Sequence, residues 1–83
     1  MITIDKIKIY KRFNGDGDGW ARGGTKEEKS FMNDDDWFLI GTFVQDISLI
    51  KKGLASYSFR DSIYERVKEN CDSEETIQAI MEM

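Results

Sequence analysis

The sequence predicts an α+β fold in a single small domain, 1–83: an N-terminal β-hairpin packed on a bundle of about three α-helices. Three observations carry this expectation. Residues 6–13 alternate apolar and polar side chains, the run Asn14-Gly15-Asp16-Gly17-Asp18-Gly19 interrupts any regular element, and beyond Thr25 capping residues and helical apolar stripes recur. A chain of 83 residues leaves room for one thin core and no second domain.

The hairpin is expected over about residues 2–22. Ile7, Ile9 and Phe13 share one parity, and Lys6, Lys8, Tyr10 and Arg12 share the other, the pattern of a half-buried strand. Ile2 and Ile4 sit on the opposite parity, so either a bulge near Asp5 and Lys6 shifts the register or the first residues form a separate segment. The Gly-rich run turns the chain, and Trp20-Ala21-Arg22 returns as a second strand before Gly23-Gly24. Two strands alone are marginal, so the Ile7/Ile9/Phe13 face is expected to lie on a helix.

Four helical segments follow. Thr25 with Glu28 has capping-box spacing and starts a short one at about 26–32. The long helix, 34–52, is capped by Asn33 or Asp34, has Asp34, Asp35 and Asp36 in its first turn and Lys51-Lys52 before Gly53. Its residues Trp37, Leu39, Ile40, Phe43, Val44, Ile47, Ile50 and Leu54 fall within an arc of roughly 160° at about 100° per residue. A helix at 58–70 carries Phe59, Ile63 and Val67 on one face, and a last one at 73–82 carries Ile77, Ile80 and Met81 after Ser73. Phe38 and Leu49 lie opposite the core arc of the long helix, beside Thr42, Gln45 and Lys52. Two explanations fit: the helix is sandwiched between the hairpin and the 58–70 helix, or Phe38 and Leu49 form a surface patch for a partner or a second copy of the chain.

Composition excludes several chemistries. The chain has no His, so nucleophile–imidazole pairs, His-ligated zinc and imidazole acid–base catalysis are ruled out. Its one cysteine, Cys71, can close no internal disulfide and build no thiolate cluster, which fits a reducing compartment. Charge interrupts the N-terminal residues too early for a secretion signal, and the longest apolar run, Trp37 to Ile40, cannot span a bilayer, so a cytoplasmic protein without a membrane partner is expected. Carboxylates are plentiful, yet none forms a recognisable acid–base pair.

The segment Asn14–Gly19 resembles the first half of an EF-hand calcium loop. Asn14, Asp16 and Asp18 occupy positions 1, 3 and 5, with Gly19 at position 6. The second half departs from that motif: Arg22 stands at position 9, Thr25 takes the place of the bidentate Glu at position 12, and the preceding residues suggest a strand. A polar hairpin loop explains the same residues without a metal. Gly19 to Lys26 also carries two glycines at phosphate-loop spacing, but Thr precedes Lys where the motif needs the reverse order, and Asp16 and Asp18 would repel a phosphate.

The net charge of -4 is the remainder of opposed blocks: +3 over residues 1–13, -5 over 14–50, +3 over 51–68 and -5 over 69–83. Lys6, Lys8, Tyr10 and Arg12 would project from one strand face, as a solvated edge or as a weak site for an anion or a nucleic acid. The acidic balance disfavours general nucleic-acid binding. Asp34, Asp35 and Asp36 serve helix capping and, with Phe38 and Leu49, are the candidate partner-binding residues; Asn14, Asp16 and Asp18 are the candidate calcium ligands. The function expected from all of this is a small acidic cytoplasmic protein-interaction module without catalytic activity, of the adaptor, inhibitor or immunity kind, meeting a basic protein or a second copy of itself. A calcium-binding domain is the alternative, and an anion or nucleic-acid site on the strand face is a further one.

Overall fold

A computed structural model describes residues 2–15, 26–31 and 33–83. It replaces the expected hairpin with helix α1, Ile4–Gly15, and no β-strand occurs among the described residues. The only extended pairing there is an isolated parallel bridge between Ile2 and Cys71. Residues 16–22, the rest of the expected hairpin, lie outside the described residues. The fold is therefore a helical bundle and not α+β.

Local chemistry explains why residues 4–15 wind into a helix. Thr3 caps it: its Oγ1 accepts from the Lys6 N–H at 3.4 Å, and its carbonyl accepts the first helical bond from Ile7 at 3.1 Å. Asp5 stands in the positive first turn and Arg12 in the negative last turn. The alternation that suggests a strand does not survive the helical rotation. Ile7 is buried and Lys8 exposed, but Lys6 and Tyr10, expected on the solvent side, turn partly inward. Apolar burial against neighbouring helices outweighs the strand preference of the isoleucines.

Four more helices follow: α2 (Lys26–Phe31), α3 (Asp34–Lys51), α4 (Tyr57–Asn70) and α5 (Glu74–Met81). Each of the last three begins on a side-chain cap. Asn33 Oδ1 accepts from the Asp36 N–H at 2.8 Å, Ser56 Oγ from Phe59 at 3.3 Å and Ser73 Oγ from Thr76 at 3.2 Å. Helix α3 stops in a Schellman arrangement, with Gly53 N–H donating to the Ile50 carbonyl at 2.9 Å and Leu54 N–H to the Leu49 carbonyl at 3.0 Å. Gly53 has a φ of 73°, a left-handed conformation that glycine adopts without a Cβ penalty.

One cluster of buried residues joins the four longer helices: Ile7 from α1, Trp37, Ile40, Phe43 and Ile47 from α3, Ile63 and Val67 from α4, and Ile77 and Ile80 from α5. Helix α5, although only 8 residues long, touches α1, α3 and α4. Ile2 completes the cluster from outside any helix. Fully buried, it donates its N–H to the Asn70 carbonyl at 3.1 Å, which fastens the start of the described chain to the α4–α5 junction.

Helix α3 buries the inner part of its predicted arc, while Leu39, Val44 and Ile50 pack at its margins and Leu54, past the helix end, is 72% exposed. Among the described residues its opposite face is largely uncovered. Phe38 is 73% exposed and Leu49 37%, so the sandwich does not form at these residues. The α4 face of Ile63 and Val67 packs into the same core as α1, which leaves the outer side of α3 to solvent.

Candidate functional site

The side chains of α1 that turn inward build one wall of a groove on α3. Tyr10 stacks obliquely on Trp37, with ring centroids 5.8 Å apart and planes at 38°. Tyr10 also passes close to Gly41, where a Cβ would lie 3.4 Å from the Tyr10 hydroxyl oxygen, an ordinary van der Waals contact. One turn earlier on α1, the Lys6 ammonium meets the Asp36 carboxylate at 2.5 Å, with both side chains largely buried. The open groove that results has a volume of about 540 Å³. Tyr10 and Trp37 line it together with Asp34, Phe38, Gly41, Thr42 and Gln45.

The other flank of α3 is fixed by α4. Arg66 donates to Asp46, and its guanidinium lies over the Phe43 ring at 5.5 Å. The outer stripe of α3 therefore runs between α1 and α4 on a helix held from both sides.

The predicted partner residues divide. Asp34, Asp35 and Phe38 are exposed at the N-terminal end of α3, and Leu49 is exposed three turns further on. Asp36 is not available to a partner, being 5% exposed and engaged with Lys6. The Lys6/Lys8/Tyr10/Arg12 face does not exist in a helix: Lys6 and Tyr10 turn toward α3, whereas Lys8 and Arg12 stay exposed. Of the candidate calcium ligands, Asn14 falls in the last turn of α1, and Asp16 and Asp18 lie outside the described residues. Among the described residues no group of three or more Asp, Glu or Cys side chains gathers as a metal site.

Among the described residues, two groups titrate away from their ordinary values. Burial, with the Asp72 charge as a second cause, raises the Cys71 thiol to about 11, so at neutral pH it is a protonated, weakly nucleophilic group. Burial also raises Tyr10. Neither shift creates a group poised for proton transfer near neutral pH.

Sequence reasoning missed Tyr10 and Gly41 as parts of the groove. The part Tyr10 plays was hidden by its strand assignment, and a Cβ at Gly41 would meet it only at ordinary contact distance, so the glycine is no sign of the groove.

The fold and groove define a small helical bundle with an uncovered face on its longest helix. Among the described residues no helix is long and apolar enough to cross a membrane. No family model, no curated protein and no solved structure matches the chain.

Proposed function

We propose that the protein is a non-catalytic interaction module that docks a basic protein on the outer face of α3, as an adaptor, inhibitor or immunity protein would. The observation that carries this reading is Phe38, 73% exposed at the rim of a groove whose edge holds Asp34. An isolated aromatic ring in water gains from burial in a partner, and carboxylates beside it favour a partner with Lys or Arg at that spot. A photo-crosslinking residue at Gln45, used as bait in cells of the native host, tests it. Capture of one reproducible basic protein that is lost with Phe38→Asp and weakened by Asp34→Lys is expected. Capture unaffected by both changes, or no capture at all, would overturn the reading.

A second reading, calcium binding at Asn14, Asp16 and Asp18, is favoured by one observation. Helix α1 ends at Gly15 and α2 begins at Lys26, so positions 14–25 take in the last two residues of α1 and the ten that precede α2, and the motif is flanked by a helix on each side, as an EF-hand loop is. The strand that counted against the motif is a helix. Thr25 at position 12 and Arg22 at position 9 still count against it.

A further inference from the structure

We infer that two copies of this chain pair through antiparallel α3 helices, with Phe38 of each against Leu49 of the other. The inference rests on the reading that the outer face of α3 is a protein-docking surface, and it assigns that face to a second copy of the chain.

Asp34, Phe38, Thr42, Gln45, Leu49 and Lys52 follow one another at intervals of four, four, three, four and three residues. At about 100° per residue they occupy an arc of about 80°. From Phe38 onward this is the alternating spacing of a coiled-coil seam. Phe38, Gln45, Leu49, Lys52 and Asp34 are exposed and Thr42 is half-buried, so most of the seam faces solvent.

The seam is complementary to itself in one orientation. Set a second α3 antiparallel so that Phe38 meets Leu49 of the second copy, and two-fold symmetry then places Leu49 against the second copy's Phe38. Thr42 falls opposite Gln45, polar against polar, twice. Lys52 falls opposite Asp34 and Asp35 at the other helix's start, again twice, so each acidic end meets a basic end and the helix dipoles oppose. A parallel pairing would instead set Asp34 against Asp34 and Lys52 against Lys52. The groove between Tyr10 and Phe38 adds room for the second copy's Leu49.

The expected affinity is low. Helix α3 is about 27 Å long at about 1.5 Å per residue, and one helix face of that length falls short of the roughly 800 Å² per partner of a stable interface. The dimer is thus a concentration-dependent one that a tighter basic partner would displace.

Sedimentation equilibrium on the full chain from about 10 µM to about 1 mM tests the inference. Average mass should rise from 9.6 kDa toward twice that value. Phe38→Asp should remain monomeric with an unchanged thermal midpoint, because the side chain it replaces is exposed. Asp34→Lys and Lys52→Asp should each raise the dimer Kd about tenfold or more, whereas their equimolar mixture, or the two changes in one chain, should restore it. A wild-type chain that stays monomeric at 1 mM overturns the inference, as does a Phe38→Asp chain that dimerises normally or a charge swap without rescue. These outcomes leave the capture of a basic partner as a separate result, so the dimer can fail while the docking surface stands.

Discussion

Lys6 on α1 and Asp36 on α3 lie thirty positions apart in sequence and form an ion pair of 2.5 Å, with only 14% and 7% of their side chains exposed. The pair is a polar part of the α1–α3 contact and sits one turn from the stacked rings of Tyr10 and Trp37. Removing one charge leaves the other in a poorly hydrated site, whereas replacing both with apolar groups of similar size does not. Asp36→Ala should therefore destabilise the chain by about 3 kcal/mol. The double variant Lys6→Met, Asp36→Leu should lose much less than the sum of its single changes. Urea unfolding of Asp36→Ala and of the four chains of the Lys6→Met, Asp36→Leu cycle checks both, and a coupling energy below about 0.5 kcal/mol would mean that the pair is solvated.

Ile47 tests the centre of the bundle. It is 4% exposed and belongs to the cluster that joins α3 with the other long helices. Ile47→Ala should cost about 2 to 4 kcal/mol by the lost transfer energy and the cavity left behind. A loss under roughly 1 kcal/mol in the same urea assay would place this helix face in solvent and contradict the core.

How far the sequence reveals the fold depends on which signal each segment carries. The α3, α4 and α5 helices are legible because capping side chains and apolar stripes recur there, with complementary charge at both ends of α3, only at the C-terminal end of α4 and only at the N-terminal end of α5; Asn33 and Ser73 cap where expected, and Ser56 caps α4, which starts one residue earlier than the expected 58. In α1 the signals conflict. Ile7 and Ile9 alternating with Lys6, Lys8 and Tyr10 fit a strand, and the helix start signal of Thr3 with Asp5 competes with them. The register fault at Ile2 and Ile4 was the visible warning, because in the helix Ile2 lies outside the element altogether and packs on the α4–α5 junction. Phe38 and Leu49 were legible as exceptions to the α3 stripe, but choosing between core and surface needed the position of α1. The Lys6–Asp36 pair was not legible, since its partners meet only once both helices are placed.

Alkaline pH should destabilise the protein through Cys71. The folded thiol titrates near 11 against an ordinary value of 9.0, so between pH 9 and 11 the unfolded chain gives up a proton that the folded chain keeps. Fewer protons bound in the unfolded state means that stability falls as pH rises through this window, and the contribution is fully present below pH 9. Tyr10, also raised by burial, acts in the same direction above pH 10. Denaturant midpoints at pH 8 to 11 should drop more steeply for the wild type than for Cys71→Ala, in which this proton is absent. Parallel curves for the two chains would show that the thiol is not the cause.

Positions 14–25, from the last two residues of α1 to the start of α2, supply the last prediction, and their own indole makes it measurable. Trp20 stands at position 7 of the candidate loop, next to Asp18 and Gly19, so a lanthanide held by Asn14, Asp16 and Asp18 would sit within sensitisation range of it. The loss of the bidentate Glu at position 12 removes two of the oxygens an EF-hand provides, and Arg22 places a cation inside the motif. Binding should then be weak, at the millimolar end of the calcium-loop range of about 10⁻⁴ to 10⁻³ M. Tb³⁺ luminescence excited through tryptophan should appear in that range, fall on addition of Ca²⁺, and vanish in the Asp16→Ala, Asp18→Ala double variant. Trp37 could sensitise an ion bound elsewhere, so emission that persists in the double variant counts against the loop, as does silence of the wild type up to about 10 mM metal. Because three ligands with one added cation make a poor site, Thr25→Glu is the sharper arm: it restores the bidentate position, and it should tighten Tb³⁺ binding by about tenfold or more if the loop closes around a metal as an EF-hand does.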